Sequence, residues 1–222
     1  MVTGIVPVFL LSSTFFYLVS GYSFTISTPR QCQNLTVSIT GEDGQPPYRL
    51  LLVPFGPSPL PDNVEFVAVV SDAAGFGTGG TGIATNVLED DGSELCFDPS
   101  TNVSPSFAFS IDPPNQIVQC TPTRVWWDNT TVQGIPSFLG VIPGGESFVI
   151  PEGPITSVPS QGTGFSWTPS VRTGTSLVIV GGDNRGVGSG GSLLNIVSAG
   201  TVPNDDCLSS NSPSSTPNSI SN

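Results

Sequence analysis

Two residue types with versatile side-chain chemistry are missing from this sequence. It has no histidine and no lysine, and its five basic residues are all arginine, against 17 acidic residues. Without histidine, a Ser-His-Asp triad, a Cys-His pair and a histidine-ligated metal site are excluded. Without lysine, a Schiff base and a Ser-Lys dyad are excluded as well. A pair of carboxylates cleaving a glycosidic bond remains chemically open, but no pair stands out. We therefore predict a non-enzymatic protein with no catalytic residue, no metal and no cofactor.

Charge is also scarce and strongly one-sided. Charged residues make up 10% of the chain, and the net charge is −12. Such a chain repels phosphate backbones, so we predict no nucleic-acid partner. No stretch repeats its apolar residues with a helical period, whereas 26 glycines and 22 prolines punctuate short apolar runs. This pattern is typical of short strands joined by turns, and it predicts an all-β fold.

The first 21 residues predict export. The apolar run IVPVFLLSSTFFYLVSG matches the hydrophobic region of a signal peptide, with cleavage after Gly21, although a basic segment before it is lacking. A buried apolar strand or an uncleaved membrane anchor are the alternatives. Three glycosylation sequons and an even number of cysteines agree with export. We predict a secreted, extracellular or cell-wall protein with no membrane span in its mature chain, glycosylated at Asn34, Asn102 and Asn129.

The chain contains an internal repeat bounded by cysteines. Aligning Cys32 with Cys120 places CQNLTVSI opposite CTPTRVWW, and a shift of one residue places PPYRLLLVP opposite IPSFLGVIP. Farther along, VVSDAAGFGTGG aligns with VGGDNRGVGSGG, and the same offset brings Cys96 onto Cys207. Four cysteines allow three pairings. The repeat favours the pairing within each copy, Cys32–Cys96 and Cys120–Cys207.

Both copies carry a glycine motif of the GxGxxG type, starting at Gly75 and at Gly186. A dinucleotide site needs a helix directly after the third glycine, because the helix N-terminus holds the pyrophosphate. Both motifs are followed instead by short β-like runs. We therefore predict glycine-rich turns in which Asp72 and Asp183 cap the backbone as Asx turns.

The first copy is shorter than the second. The alignment offset grows from 89 to 111, and the second copy uses the additional residues for a segment in which Phe165 and Trp167 alternate as on a half-buried strand. Without that strand, a small sandwich would expose an edge and part of its core. Either the first copy manages with fewer strands, or the chain omits a coding segment, and we favour the second explanation.

These observations predict two tandem Ig-like β-sandwich domains, the first one incomplete. We call residues 22–98 the first unit and residues 107–207 the second unit. A linker is predicted at 99–106. The Ser/Thr/Pro-rich residues 208–222 are predicted to form a disordered tail that resembles the start of a glycosylated stalk.

The tryptophans are the best indication of a binding surface. Trp126 and Trp127 are adjacent on a predicted strand, so their side chains point to opposite faces. One can enter the core, while the other faces solvent or another element. An exposed indole could stack on a sugar ring or a partner protein, and Trp167 is a further possible carbohydrate contact. Packing in the core or against a domain is the favoured alternative, since aromatic residues mostly serve burial.

Taken together, the cysteine-bounded repeat, the proline-ended strand PPYRLLLVP and the Asp-x-x-Gly-x-Gly-x-Gly-Gly turn resemble secreted cell-surface proteins of mushroom-type (basidiomycete) fungi. They are also similar to the Ig-like N-terminal domain of Kre9/Knh1-type cell-wall synthesis proteins and of Ser/Thr-rich GPI-anchored proteins. The resemblance covers residues 22–207 and implies a surface or wall role without a catalytic residue. The expected function is a structural or adhesive wall glycoprotein whose partners are wall polysaccharide or other surface proteins. A module that binds wall polysaccharide is the alternative, and a glycoside-active enzyme is a remote one.

Overall fold

The computed structural model of the protein describes residues 21–55, 64–89, 96, 100 and 104–215. Their regular structure consists of strands and contains no helix, so the predicted all-β class is confirmed. The strands are β1 (Ser23–Ile26), β2 (Val37–Thr40), β3 (Arg49–Phe55), β4 (Glu65–Ser71), β5 (Thr85–Asn86), β6 (Phe109–Asp112), β7 (Thr123–Trp127), β8 (Ser137–Val141), β9 (Phe148–Val149), β10 (Thr156–Val158), β11 (Gly162–Trp167), β12 (Ser176–Asp183) and β13 (Gly186–Ile196).

The second unit consists of two four-stranded antiparallel sheets. One has the order β10-β11-β7-β6, and the other has the order β13-β12-β8-β9. Strict alternation along β7 turns Val125 and Trp127 inward, as the period of two dictates. The ring of Trp127 lies 5.6 Å from that of Phe138, which in turn lies 5.7 Å from Phe165, measured between centroids. These aromatic side chains fill the space between the two sheets.

The first unit is built from a β1-β2 hairpin and a three-stranded sheet, β3-β4-β5. The hairpin and the glycine-rich segment after β4 cover one face of that strand. Close approach requires glycine here, because a methyl group on Gly79 would lie 2.5 Å from the Tyr22 ring and 2.9 Å from Val70. No counterparts of β9, β10 and β11 occur among the described residues of this unit. The first unit is therefore the smaller of the two.

The two units share a hydrophobic cluster. Sheet β3-β4-β5 packs on the face of sheet β13-β12-β8-β9 that points away from the second unit's own core. The cluster consists of buried aliphatic side chains from both units: Val53, Val67, Val69, Leu139, Val141, Val178 and Val180. The predicted tandem units are therefore joined through a buried cluster between their sheets as well as through the chain.

Strand register corrects one step of the sequence alignment. Leu51 pairs with Val69 on β4, and the aligned partner of Val69, Val180, pairs with Leu139 on β8. Leu51 is thus the counterpart of Leu139, and the predicted equivalence of Leu50 with Leu139 is wrong. The difference in residue number between equivalent positions of the two copies therefore stays at 88 from the first cysteine through this strand. The shift by one residue that aligning the prolines suggested does not occur. A slip of one residue matters because it moves every side chain to the other face of the sheet.

Both predicted disulfides are confirmed. Cys32 is bonded to Cys96, and Cys120 is bonded to Cys207, with a Cα–Cα distance of 5.3 Å in each pair. Each bond closes a long loop around its own unit. Disulfides form and persist in oxidising compartments, of which the extracellular space is one.

The ends of the predicted organisation are described in part. The signal peptide lies outside the described residues except for Gly21. The start of the predicted disordered tail, residues 208–215, contacts the second unit: the N–H of Arg172 donates to the carbonyl of Pro213 at 3.1 Å, and Arg172 Nη2 donates to the carbonyl of Ser209 at 2.8 Å. These hydrogen bonds hold the start of this segment against the second unit.

Candidate functional site

Aspartate caps a turn at the start of each glycine motif, as predicted, but only the first motif is itself a turn, because residues 186–191 of the second belong to strand β13. Asp72 Oδ1 accepts the N–H of Ala74 at 2.9 Å, and Asp183 Oδ1 accepts the N–H of Arg185 at 2.9 Å. The second carboxylate oxygen also has equivalent partners in the two copies. Asp72 Oδ2 accepts from the N–H of Gln45 at 2.7 Å, and Asp183 Oδ2 accepts from the N–H of Gln133, which precedes β8. The first motif forms the turn after β4, and the second runs into β13. Both aspartates form Asx turns between strands.

Hydrogen bonding holds both carboxyl groups ionised. The Arg185 guanidinium, 2.5 Å from Asp183 Oδ2, lowers the pKa of Asp183 well below its usual range, assisted by backbone N–H donors. The pKa of Asp72 is lowered mainly by the N–H of Gln45, with the Thr78 hydroxyl contributing. Groups held ionised and saturated with donors act as turn caps and are poorly suited to proton transfer.

Two of the three predicted carbohydrate contacts are buried. Trp127 is 1% exposed and Trp167 is 5% exposed, and both belong to the core of the second unit. Neither indole can present a ring face to a sugar. The prediction that one of the adjacent tryptophans turns inward and the other outward is confirmed, because Trp126 is half-buried on the outer face of its sheet. The candidate site is thereby reduced to Trp126.

The cross-strand neighbours of Trp126 are small. Its partners in register are Ser110 on β6 and Gly164 on β11. Gly164 is required by close packing, since a methyl group there would lie 2.8 Å from Trp126 Cβ. No bulky side chain directly opposite on these strands covers the indole ring. The ring therefore lies on a sheet surface lined by hydroxyl and glycine residues.

Polar groups surround the indole on the same face. Arg124 is two residues from Trp126, and its Nη1 donates to Thr156 Oγ1 at 2.7 Å. Ser166 and Asp112 are the cross-strand partners of Arg124. Alternation along each strand places all these side chains on one surface. We call this surface the Trp126 face: Ser110, Asp112, Arg124, Trp126, Thr156, Gly164 and Ser166.

The Trp126 face combines the two features that sugar binding uses. The indole offers a flat apolar surface for the C–H groups of a pyranose ring, and the hydroxyl, carboxylate and guanidinium groups around it can exchange hydrogen bonds with sugar hydroxyls. Its residues include a single carboxylate, Asp112. Hydrolysis of a glycosidic bond ordinarily takes two.

Two of the predicted glycosylation sites are accessible. Asn34 and Asn129 are both exposed, and Asn129 follows the end of β7 in a turn capped by Asp128. The N–H of Thr130 donates to this cap at 2.8 Å and lowers the pKa of Asp128. Asn102 lies outside the described residues. A glycan on Asn129 would stand near the end of the strand that carries Trp126.

In the part of the chain that the structure describes, no group of His, Cys, Asp and Glu side chains is arranged to hold a metal ion. Nor do the same residues form a helix long and apolar enough to cross a membrane. No protein-family model, curated protein sequence or solved structure matches this chain.

Proposed function

We propose that this protein is a non-enzymatic, secreted glycoprotein of the fungal cell wall or cell surface, with a structural or adhesive role. The observation that carries the proposal is the cluster that Val53, Val67 and Val69 share with Leu139, Val141, Val178 and Val180. Two disulfide-closed β units joined through packed sheets form a stiff element, whereas domains connected by a linker alone move independently.

The chemistry of the chain supports the proposed location. Cystines persist outside the cell, and the exposed Asn34 and Asn129 are accessible to a glycosyltransferase. The predicted signal peptide and the resemblance to Ig-like domains of fungal wall proteins add the compartment and the surface role.

Expression of the full chain in a yeast secretory host tests this proposal. We expect the protein in the medium and the wall fraction, with an electrophoretic mobility that increases on endoglycosidase treatment. Asn34→Gln and Asn129→Gln should each remove one glycan increment, whereas Asn115→Gln, at an asparagine outside any sequon, should remove none. An unglycosylated protein retained in the cytosol would contradict the proposal.

The Trp126 face supports a second function, the binding of wall polysaccharide. Sedimentation of the secreted protein with insoluble β-glucan and chitin measures it directly. We expect Trp126→Ala to reduce retention at least about tenfold, the equivalent of ~1.4 kcal/mol lost with the stacking surface. Ile135→Ala is the matched control, because Ile135 is 72% exposed and lies apart from this face. If the unsubstituted protein sediments with neither polymer, this function is wrong for both.

A further inference from the structure

Among the described strands, β2 is paired along one edge only, whereas its counterpart in the second unit, β7, is paired along both. In the second unit, β7 lies between β6 and β11, with residues Thr123–Trp127 in register with Thr163–Trp167. In the first unit, β2 pairs with β1 alone among the described strands. An unpaired strand edge offers backbone N–H and C=O groups to another strand.

An apolar surface lies exposed on the neighbouring sheet. Leu50 and Leu52, on β3, are 42% and 44% exposed. Strand register makes Leu50 the counterpart of Phe138. Leu50 pairs with Val70, and Phe138 pairs with Gly181, the residue of β12 that aligns with Val70. Phe138 is 0% exposed, and Phe165 of β11 packs on it together with Phe109 and Trp127. The same position is thus covered in one unit and open in the other.

The inward side chains of β2 show the same difference. Val37 and Ile39 are only half-buried. Their counterparts in the second unit, Val125 and Trp127, are 0% and 1% exposed. Side chains on both β2 and β3 are therefore more exposed than their counterparts in the second unit. In the second unit, β11 is one of the strands that bury these counterparts.

The connections differ in length between the two units, which is consistent with the absence of these strands from the described residues of the first unit. Residues 142–175 connect β8 to β12 and contain β9, β10 and β11, whereas only residues 56–64 connect β3 to β4. A second copy of the protein is poorly suited to supply the missing strand. Its β11 is paired on both sides, and Phe165 and Trp167 are buried, so donating it would break a sheet.

We propose that the first unit binds an extended segment of another protein, which adds a strand along the free edge of β2. The second unit shows the chemistry that the segment needs. Facing inward, it carries bulky apolar side chains at alternate positions, as Phe165 and Trp167 do. Facing outward, it carries small residues, as Gly164 and Ser166 do. This is recognition by β-strand addition, in which the backbone supplies the pairing and alternate side chains supply the specificity.

A peptide with this chain's own β11 sequence is the probe. Fluorescently labelled peptide 161–169, QGTGFSWTP, is titrated with the full, disulfide-intact protein, and its anisotropy is measured. We expect saturable binding. A peptide with Phe165→Ser and Trp167→Ser should bind at least about tenfold more weakly, since it loses the buried apolar surface. A peptide with Ser166→Pro should also bind at least about tenfold more weakly, because proline removes an N–H and disrupts strand pairing.

Two protein variants locate the binding site. Leu50→Ser should weaken binding of the β11 peptide at least about tenfold. Leu194→Ser, at a leucine of β13 that is 40% exposed, should leave binding unchanged. Hydrogen exchange should show that the amides of Val37–Thr40 become more protected when the peptide is bound.

Three outcomes would overturn the inference. The first is an absence of saturable binding by the unsubstituted protein. The second is an equal loss of affinity in Leu50→Ser and Leu194→Ser, which would indicate non-specific adsorption. The third is dimerisation of the protein alone that Leu50→Ser abolishes, which would make a second copy the occupant. Sedimentation velocity with and without peptide separates this third outcome from the expected one.

Discussion

Replacing Val69 with aspartate, in the first unit, should destabilise the second unit as well. Val69 is 0% exposed and belongs to the shared cluster, so the new carboxylate would be buried there without a partner. We expect a loss of about 3–5 kcal/mol in the free energy of unfolding at pH 7. Urea unfolding monitored by tryptophan fluorescence provides the measurement, because Trp126, Trp127 and Trp167 all lie in the second unit.

The location of the tryptophans makes this experiment decisive. If the units were independent, a substitution in the first would leave the fluorescence midpoint unchanged, and the shared cluster would have no energetic meaning. Ile83→Asp is the matched control, since Ile83 lies in the same unit but is 73% exposed, and it should change stability by less than about 0.5 kcal/mol. Burial raises the pKa of the new carboxyl group, so the penalty should decrease as the pH falls and the group becomes neutral.

Removing the Cys120–Cys207 disulfide should have an effect of similar size. The bond joins residues 87 positions apart. Restoring the freedom of the unfolded chain in Cys120→Ser/Cys207→Ser should cost about 4.5 kcal/mol in the chain-entropy model. Urea unfolding of this variant and of the unsubstituted protein, each extrapolated linearly to water, gives the difference. A loss below about 1 kcal/mol would contradict the prediction.

The other disulfide provides the comparison. Cys32–Cys96 closes a shorter loop, with a sequence separation of 64, so Cys32→Ser/Cys96→Ser should cost slightly less, about 4 kcal/mol. Because the units share a buried cluster, this loss should also appear in the fluorescence of the second unit's tryptophans. A variant whose first unit unfolds while the fluorescence midpoint stays unchanged would show that the disulfide acts on its own unit alone.

Several features could be predicted from the sequence because they depend on residues close in the chain or on its internal repeat. An aspartate side chain reaches the N–H two residues later, so the caps at Asp72 and Asp183 are local structures. The repeat of the cysteines indicated the pairing, since equivalent positions in two copies of one fold meet equivalent partners. The shorter first copy and its exposed edge also followed from comparing the copies.

Other features depend on which sheet faces pack together, and they could not be predicted from local sequence patterns. The alternation of side chains along a strand was enough to predict that Trp126 and Trp127 point to opposite faces. It did not determine that Trp127 enters the core, because either face could have been buried. The alignment also misplaced Leu50 by one residue, since similar prolines outweighed the register that strand pairing imposes. The shared cluster was not foreseen, because the aliphatic residues on the outer faces of two sheets are buried only when those sheets pack together.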